Sequence, residues 1–406
     1  MEQGNHPRAT PATPANPLGP AFQQDPYALY ARLRAHEPVH RTTVIPDSWL
    51  LTRYADVVSV LKDPRFGRHY MREFFRRQYG EGPLVAHYTR WLLFVDPPTH
   101  TRLHTLMNKA FTPRVLEAIR PRIQAAVDSL LAAVRPRAKI DVIEDLAWPL
   151  PVLVICEILG VPAEDMERFR AWSHDIARTL DPVATPGTIE HTNAVVAEMA
   201  EYFERLIARR RGDPQPDLVS ALIAAEQQGD RLSTDELISN CLFLFTAGHE
   251  TTVNLIGNGT LALLEHPHEL ARLKGDPSLI GSAIEECLRW DAPVQMTGRA
   301  AKEDIVVGGQ LVGAGQRVLA VLAAANRDPE VFAEPDRFDI TRAPNRHLSF
   351  STGIHFCLGA QLARTEAQIA IGTLLREFPG LHLADEKRRW RPVLTLRGLE
   401  SLPAHF

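Results

Sequence analysis

Over most of the chain, apolar and polar positions alternate with the period of an α-helix. Between residues 98 and 290, apolar side chains recur every three or four positions, which places them on one face of each helix. The longest of these patterns begins at Ser233, where Ser233 and Glu236 form a predicted capping box, and it continues to His266. This stretch is apolar on nearly every side, so we expect a helix buried at the centre of the protein.

The remaining patterns are shorter. Residues 66–94 mix aromatic, basic and glycine residues without a period, and we expect a long irregular segment there, of a kind that is often functional. The other predicted elements are a helix from Asp25, a strand at 49–52, a helix from Asp56 to Pro64, a small sheet or hairpin after residue 291, a loop at 326–349, a helix at about 358–377 and a hairpin at 393–398. These patterns predict a mainly α fold, with a long central buried helix and a small β-rich subdomain.

Composition narrows the class of protein. The chain has 406 residues, and we expect residues 1–20, which are rich in Pro, Ala and Thr, to form a flexible leader before a single domain at 21–406. The net charge of −4 gives no reason to expect nucleic acid or an anionic membrane as a partner. No segment has the apolar run of a signal peptide or a membrane span, so we expect a soluble, cytoplasmic protein.

The strongest chemical signal surrounds one of the four cysteines. Phe350, Gly353, His355, Cys357 and Gly359 follow the spacing F-x-x-G-x-H-x-C-x-G, directly before a predicted helix. A lone cysteine in such a position is usually structural, but with this spacing the segment resembles the haem-binding loop of the cytochrome P450 family. The resemblance implies that the Cys357 thiolate binds the iron of haem b, while the helix N-terminus and nearby N–H groups stabilise the sulfur. The glycines would let the backbone approach the porphyrin closely.

One position departs from the family pattern. Ser351 stands where the family usually has a second glycine after the phenylalanine. Because serine is small, we expect a local adjustment of the backbone and no loss of haem.

The resemblance extends to a second motif, in the middle of the predicted central helix. Residues 247–252 read Ala-Gly-His-Glu-Thr-Thr and match the family pattern A-G-x-[DE]-T, which lies over the distal face of the haem. A glycine inside a helix costs about 1 kcal/mol relative to alanine, and the family's reason for Gly248 beside Ala247 is a groove where O2 binds. Thr251 would hydrogen-bond the oxygen, and Glu250 would help to deliver protons. Without such a function, the segment would be a kinked helix whose glutamate has a partner.

The family also implies hydrogen-bond donors for the two haem propionates. His100, Arg299 and His355 match its propionate-binding positions. A further family arginine is replaced by His104, which shares a helical face with His100 and can still donate a hydrogen bond. We expect His104 to contact a propionate and to make haem affinity or the haem spectrum dependent on pH.

A structural network and a substrate pocket follow from the same resemblance. Glu286 and Arg289 form an E-x-x-R motif, and the family joins this motif to an arginine matching Arg337 in a buried network that holds the loop leading to Cys357. The residues that match the family's pocket are mainly aliphatic and imply an apolar or weakly polar substrate. They are Leu92, Leu93, Phe243, Ala247, Thr251, Val294, Gln295, Thr297, Thr395 and Leu396.

These matches imply a haem-thiolate monooxygenase of the soluble bacterial branch. It would use O2 and two electrons to hydroxylate or epoxidise a small-to-medium apolar molecule, as in secondary metabolism, and we expect a monomer. A ferredoxin and its NAD(P)H reductase would supply the electrons. The ferredoxin would bind near four basic residues, for which plain solvated charge is an equally good explanation: Arg102, Lys109, Arg114 and Arg364.

Two other functions stay open, and so does the substrate. A peroxide-driven peroxygenase or an isomerase would need no reductase, but such relatives tend to lose the pair that matches Glu250 and Thr251. A haem-based sensor or haem carrier would need no proton-delivery pair and usually adds a partner domain. The motifs resemble branches that act on macrolides, fatty acids, terpenoids or steroids, and the sequence does not choose among them.

Overall fold

The structure is a computed structural model that describes residues 20–406 except 44, 46, 109–110, 112, 178–185 and 227–231. The predicted leader therefore lies outside the described residues, apart from Pro20, where the first helix begins. Within the described part of the chain, no helix combines the length and the apolar character that crossing a membrane requires.

Helices form most of the described structure, as the periodicity predicts. The helices of the first half are α1 (Pro20–Gln24), α2 (Tyr27–His36), α3 (Tyr54–Lys62), α4 (Met71–Tyr79), α5 (Pro83–Tyr88), α6 (Thr99–Asn108), α7 (Pro113–Val134), α8 (Pro149–Leu159), α9 (Met166–Ala177) and α10 (Pro186–Gly212). Those of the second half are α11 (Leu218–Glu226), α12 (Thr234–Glu265), α13 (Pro267–Gly275), α14 (Ile280–Trp290), α15 (Leu322–Ala325) and α16 (Ala360–Glu377).

The predicted central helix is α12, and its capping box is present. The Ser233 hydroxyl accepts a hydrogen bond from the Glu236 amide at 3.1 Å, and the Glu236 carboxylate accepts one from the Ser233 amide at 2.9 Å. These two bonds satisfy amide groups that have no partner within the helix. Most side chains of α12 are buried, because the helix packs against α8, α9, α10, α14 and α16.

Close packing explains a glycine in this helix. A Cβ atom at Gly257 would collide with Cδ1 of Ile143, which belongs to a short π-helical turn before α8. The absence of a side chain therefore lets the two segments approach closely.

Within the described residues, the β-rich part consists of three small sheets. The strands are β1 (Val39–Thr42), β2 (Ser48–Leu51), β3 (Phe66–Gly67), β4 (Lys139–Asp141), β5 (Thr297–Ala301), β6 (Ile305–Val307), β7 (Gln310–Val312), β8 (Arg317–Ala320), β9 (His382–Leu383) and β10 (Pro403–His405). The largest sheet has the order β1-β2-β8-β5-β3, with β2 and β8 parallel and the other pairs antiparallel. The hairpin predicted after residue 291 is β6–β7, in which Val307 pairs with Gln310.

One predicted element is wrong, and another is confirmed only in part. Residues 66–94 are not irregular: they contain β3, α4, α5 and a 3-10 turn at Leu92–Phe94. Their aromatic side chains face a cavity as well as the core, so the helical apolar period is masked. Residues 393–398 form no regular strands, but they lie inside a chain reversal that an isolated antiparallel bridge between Trp390 and Leu399 closes, and Leu396 makes a second isolated bridge to Val294. That bridge brings the C-terminal segment against the residues before β5.

Candidate active site

The loop that carries Cys357 is shaped by backbone hydrogen bonds just before α16. The Cys357 amide donates to the Phe350 carbonyl at 3.0 Å, and the Cys357 carbonyl accepts from Ala360 in the first turn of the helix at 3.3 Å. Gly353 has a φ of +73°, and a Cβ atom there would lie 2.5 Å from the Leu61 carbonyl oxygen. A side chain is excluded at this position by both conformation and space.

Ser351 makes the backbone adjustment that the sequence suggested. Its φ is +61°, a left-handed conformation that costs a residue with a side chain about 1 kcal/mol. Its amide donates to the Leu348 carbonyl at 2.7 Å, and this bond belongs to the tight turn that precedes Cys357.

The Cys357 thiol needs a cation to become a thiolate. Burial raises its pKa to about 11, although the Gly359 amide and the Arg364 guanidinium both lower it. A metal ion that binds the sulfur favours the deprotonated form and opposes the effect of burial. The donor set of this loop therefore fits the iron of a haem at Cys357.

Four basic side chains from separate elements converge beside this loop. The rings of His100, on α6, and His355 have centroids 4.3 Å apart, and His104 stacks on His100 at 5.4 Å. Arg68 and Arg299 share the Thr297 hydroxyl, to which they donate at 2.8 and 3.3 Å. We call Arg68, His100, Arg299 and His355 the cationic cluster.

Electrostatics show that the cationic cluster is short of negative charge. Burial and neighbouring cations lower the pKa of His100 to about 4 and hold the pKa values of His355 and Arg299 well below their usual ranges. Three buried nitrogens in the cluster have no hydrogen-bond partner: Arg68 Nε, Arg299 Nη2 and His355 Nε2. Unpaired buried donors of this kind fit carboxylates that belong to a bound group, and haem carries two propionates.

Arg68 is the member of the cationic cluster that the sequence did not indicate. It follows β3 closely, in the segment predicted to be irregular, and Arg65 nearby has the same side chain. Arg65 is instead half-exposed and paired with Asp63. Only the packing of β3 against β5 distinguishes the two arginines.

The histidine that replaces a family arginine lies beside the cationic cluster. His104 lines the same cavity as His100, and its Nδ1 accepts a hydrogen bond from the side-chain amide of Asn108 at 2.9 Å. This bond leaves the proton on Nε2, which can act as a donor. Its contact with a propionate stays a prediction.

The second motif occupies the middle of α12. The Thr251 hydroxyl donates to the Ala247 carbonyl at 2.9 Å, and the Thr252 hydroxyl donates to the Gly248 carbonyl at 3.2 Å. All four residues line one cavity together with Cys357. The fold therefore brings both motifs, more than a hundred residues apart in sequence, to the wall of one cavity.

Glu250 has a partner that the sequence did not reveal. One carboxylate oxygen forms an ion pair with Arg391, whose guanidinium lies 4.9 Å from the Trp148 ring centroid. The other oxygen is buried without a hydrogen bond, and Glu250 also lines the cavity. The carboxylate thus has one oxygen anchored and one available to a water or substrate group.

The cavity has a volume of about 400 Å³ and is lined mainly by apolar side chains. Nine of the ten residues predicted to line the pocket do so: Leu92, Leu93, Phe243, Ala247, Thr251, Val294, Thr297, Thr395 and Leu396. Residues that the sequence did not indicate add an aromatic wall, mostly from α4 and its neighbours: Tyr70, Phe74, Phe75, Tyr79, Phe94 and Phe111.

Gln295 is the exception, and its assignment to the pocket is wrong. It is 3% exposed, its amide group donates to the Ala292 carbonyl at 2.7 Å, and its side-chain oxygen accepts from the Tyr30 hydroxyl at 3.2 Å. Extended backbone alternates its side chains, so Gln295 points away from the cavity that Val294 lines.

The buried network beneath the loop is also different from the prediction. Glu286 and Arg289 are fully buried and form two hydrogen bonds of 2.7 and 2.8 Å. Arg337 does not join them, because its side chain is 55% exposed and pairs with Glu334. Arg342 takes that place, with Nε 3.2 Å from Glu286 and a side chain that is 11% exposed. Arg337 contributes its carbonyl group, which accepts from Arg289 at 3.1 Å.

A second group of ion pairs, centred on Glu285, also holds the loop that carries Cys357. Glu285 accepts hydrogen bonds from Arg364 at 2.7 and 2.8 Å, and it contacts His347 at 3.1 Å. His347 therefore has a structural role beside the loop that carries Cys357. Arg364 is not a free surface cation, and Arg102 is likewise paired, with Glu236. Of the other two basic residues proposed for a ferredoxin, Lys109 and the Arg114 side chain lie outside the described residues.

Three comparisons with known proteins agree. A family model described as Cytochrome P450 matches residues 45–276 and 278–394. The Biotin biosynthesis cytochrome P450 of Bacillus subtilis (strain 168) is 43% identical over 95% of this chain and 97% of its own length. The Vitamin D(3) 25-hydroxylase of Pseudonocardia autotrophica is 44% identical over 94% of both chains. The crystal structure of myxobacterial CYP267B1 in complex with myristic acid has a TM-score of 0.90 and 45% identity, over 96% of this chain and 98% of that one.

The network correction predicts a contrast between two arginines. Replacing Arg342 by Met leaves part of the buried Glu286 charge unpaired, so we expect the free energy of unfolding to fall by about 2–3 kcal/mol. The matched variant Arg337→Met removes an exposed side chain and should change it by less than about 0.5 kcal/mol. Urea unfolding of both variants checks this. Equal losses, or a larger loss for Arg337→Met, would contradict the assignment.

The Glu285 group predicts a dependence of stability on pH. Burial alone would raise the pKa of Glu285, but hydrogen bonds from Arg364 and His347 outweigh it and lower the pKa to about 2. The folded pKa is below the usual 4.5, so the group stabilises the fold above about pH 4.5 and loses this effect as the pH falls toward 2. Glu285→Gln should therefore cost about 2 kcal/mol at pH 7, and the difference from the unmodified protein should narrow below pH 4.5.

Denaturant unfolding between pH 3 and 7 measures this difference. The exposed Glu330 offers a control, since Glu330→Gln should behave as the unmodified protein at every pH. A difference for Glu285→Gln that stays constant across the range would refute the role of its charge.

Proposed function

We infer, since the chain belongs to the cytochrome P450 family, that it hydroxylates or epoxidises a small-to-medium apolar molecule with electrons from a ferredoxin and its NAD(P)H reductase. Membership makes the chain a cytochrome P450 monooxygenase, with haem b as cofactor, O2 as co-substrate and a redox partner as electron source. The observation that carries the finer proposal is the single apolar cavity lined by Cys357 and by the Thr251 motif. We further expect a monomer in the cytoplasm.

Haem would be held by the residues that the geometry brings together. Cys357 would bind its iron through the sulfur atom, and the cationic cluster together with His104 would bind its propionates. When bound, the haem supplies the iron that activates O2 for insertion of one oxygen atom into a C–H or C=C bond. Binding would also supply the negative charge that the cationic cluster lacks, so we expect haem to stabilise the fold.

The α12 motif would control protons. Thr251 presents a hydroxyl at the cavity wall, and its hydrogen can leave the Ala247 carbonyl to bond an oxygen of the co-substrate. Glu250 would bring protons to this position through water, using the carboxylate oxygen that Arg391 does not hold. Arg391 orients the carboxylate from outside the cavity and is a positioning residue.

Substrate would bind against the aromatic and aliphatic walls. Phe74, Phe75 and Phe243, together with the leucines of the cavity, offer large apolar contacts and few hydrogen bonds. Such a wall excludes water and orients a molecule by its shape. Similar proteins are named for vitamin D3 hydroxylation and for biotin biosynthesis, and one has been crystallised with myristic acid, so sterols and fatty acids head the candidate list.

Replacing Cys357 tests the haem ligand. Cys357→Ser should lose the carbon-monoxide band of the reduced protein that is typical of thiolate ligation, because oxygen replaces the sulfur donor. Cys241→Ala, at a buried cysteine of α12, is the control and should keep the band. An unchanged band in Cys357→Ser would overturn the assignment of the ligand. In the unmodified protein, shifts of the ferric Soret band across fatty acids, steroids, terpenes and macrolides test the substrate class.

Replacing Thr251 tests proton control. Thr251→Ala should lower the product formed per NAD(P)H by roughly tenfold or more, with the electrons appearing as hydrogen peroxide, because the hydroxyl is lost. Thr251→Ser keeps the hydroxyl and should retain most of the coupling. Peroxide and product are measured with a ferredoxin, its reductase and a substrate from the spectral screen. Equal coupling in both variants would remove Thr251 from the mechanism, and turnover with peroxide alone would favour a peroxygenase.

A further inference from the structure

Three polar side chains share one face of α12 and lead away from the large cavity. Glu250, Asn254 and Asn258 are four residues apart, so they follow one another along the helix at intervals of about 6 Å. All three are buried, and Asn254 is only 1% exposed. Glu250 lines the cavity, and the two asparagines extend the row toward the C-terminal end of the helix. We call these three residues the polar face of α12.

The polar face has more hydrogen-bonding groups than partners. Glu250 Oε2, both polar atoms of the Asn254 side chain and Asn258 Oδ1 are buried, and none has a hydrogen-bond partner among the residues that the structure describes. The other end of Asn258 is anchored, because its Nδ2 donates to the Arg397 carbonyl at 3.0 Å. Buried polar groups of this kind normally bind ordered water, and one water bridges two groups that are too far apart for a direct bond.

The C-terminal segment is shaped around the Asn254 side chain. A Cβ atom at Gly398 would collide with Asn254 Oδ1. The absence of a side chain at Gly398 therefore lets the backbone of this segment cover the polar face without displacing the amide group.

Glu250 needs a supply of protons that its ion pair does not provide. A guanidinium group does not release its proton in proteins, so Arg391 orients the carboxylate and cannot pass a proton to it. The large cavity is mainly apolar, and it is the place where the protons are used. Asn254 is the next polar side chain on the same face of the helix, and an amide that holds water can connect Glu250 to a source of protons.

A second, smaller cavity brings solvent close to the polar face. Its volume is about 20 Å³, which is enough for roughly one water molecule, and Arg391 and Arg397 line it. Pro392 lines it as well and is exposed, so this cavity adjoins the surface. Arg391 pairs with Glu250, and the Arg397 carbonyl accepts from Asn258. The small cavity is therefore lined by residues that contact both ends of the polar face.

We propose that the polar face of α12 binds a short line of water that supplies Glu250 with protons from solvent, and that Asn254 is the positioning residue of this line. Each proton that the Glu250 carboxyl group passes toward Thr251 is replaced by one from the water held at Asn254. That water takes a proton from the next one, so the carboxylate and the waters return to their initial state. The inference rests on the proposed function, which supplies the electrons and O2.

The test replaces Asn254 in the haem-loaded protein. Asn254→Leu has the same branched shape but no polar atom, and it should lower the product formed per NAD(P)H by roughly tenfold, with the electrons appearing as hydrogen peroxide. The ratio of the turnover rates in H2O and D2O should rise, because proton supply becomes limiting. Asn254→Ser keeps a hydroxyl and leaves room for a further water, so it should restore most of the coupling. Substrate affinity should stay within about twofold in both variants, since Asn254 is not among the described residues that line the large cavity.

Crystal structures provide a readout that does not depend on turnover. The unmodified protein should show ordered water between Glu250 and Asn254, and Asn254→Leu should lose it. Thr260→Val is the matched control, because Thr260 is fully buried in α12, its hydroxyl oxygen also lacks a partner within the described part of the chain, and the helical period places it off the polar face. This variant should keep the water, the coupling and the ratio of rates.

The possible failures are distinguishable. If the reduced unmodified protein lacks the carbon-monoxide band, or forms no product, the proposed function itself is overturned. If product forms, four results overturn the water line alone: no ordered water between Glu250 and Asn254 in the unmodified protein, unchanged coupling in Asn254→Leu, an equal loss in Thr260→Val, or a loss that Asn254→Ser does not restore. The last result would mean that Asn254 only packs against Gly398.

Discussion

The ion pair between Glu286 and Arg289 holds together the parts of the chain that form the site. Neither side chain has any exposed surface, and Arg289 also donates to the carbonyls of Asn326 and Pro335. Glu286 in turn accepts from the Asp339 amide at 2.9 Å. An unpaired charge in the interior costs several kcal/mol of folding free energy. The ion pair and its hydrogen bonds therefore fix the position of α14 relative to the long segment before the Cys357 loop. The sulfur is therefore placed by contacts far from it in sequence.

The cationic cluster is short of negative charge. This shortage opposes folding, but it favours the binding of an anionic cofactor. Side chains from α6, β5, the Cys357 loop and the segment after β3 bring two buried arginines and two buried histidines together, with three unsatisfied nitrogens. Such an arrangement opposes folding unless a bound anion compensates it. Part of the free energy of haem binding would therefore come from pairing these groups, which are poorly paired when haem is absent.

Sequence reasoning was most successful where a local motif carries the chemistry. The capping box at Ser233 and Glu236, the loop at Cys357 and the α12 motif at Glu250 and Thr251 depend on residues a few positions apart, and each lies where its spacing implied. It failed where a partner is distant. Arg391 lies 141 residues from Glu250, and nothing in the neighbouring sequence distinguishes it from Arg388 and Arg389.

The sequence by itself determined that the chain is a mainly α protein with a long buried central helix, because these features depend on periodicity. Its short motifs carry the resemblance that implied a thiolate at Cys357, a groove at Ala247 and Gly248, and an apolar pocket. Only the tertiary structure decided which arginine completes the network with Glu286, that Gln295 points away from the cavity, and that Arg68 joins the cationic cluster. Those choices depend on which face of a strand or loop is turned inward, and on charges that meet only after folding. Neither is encoded in the order of neighbouring residues.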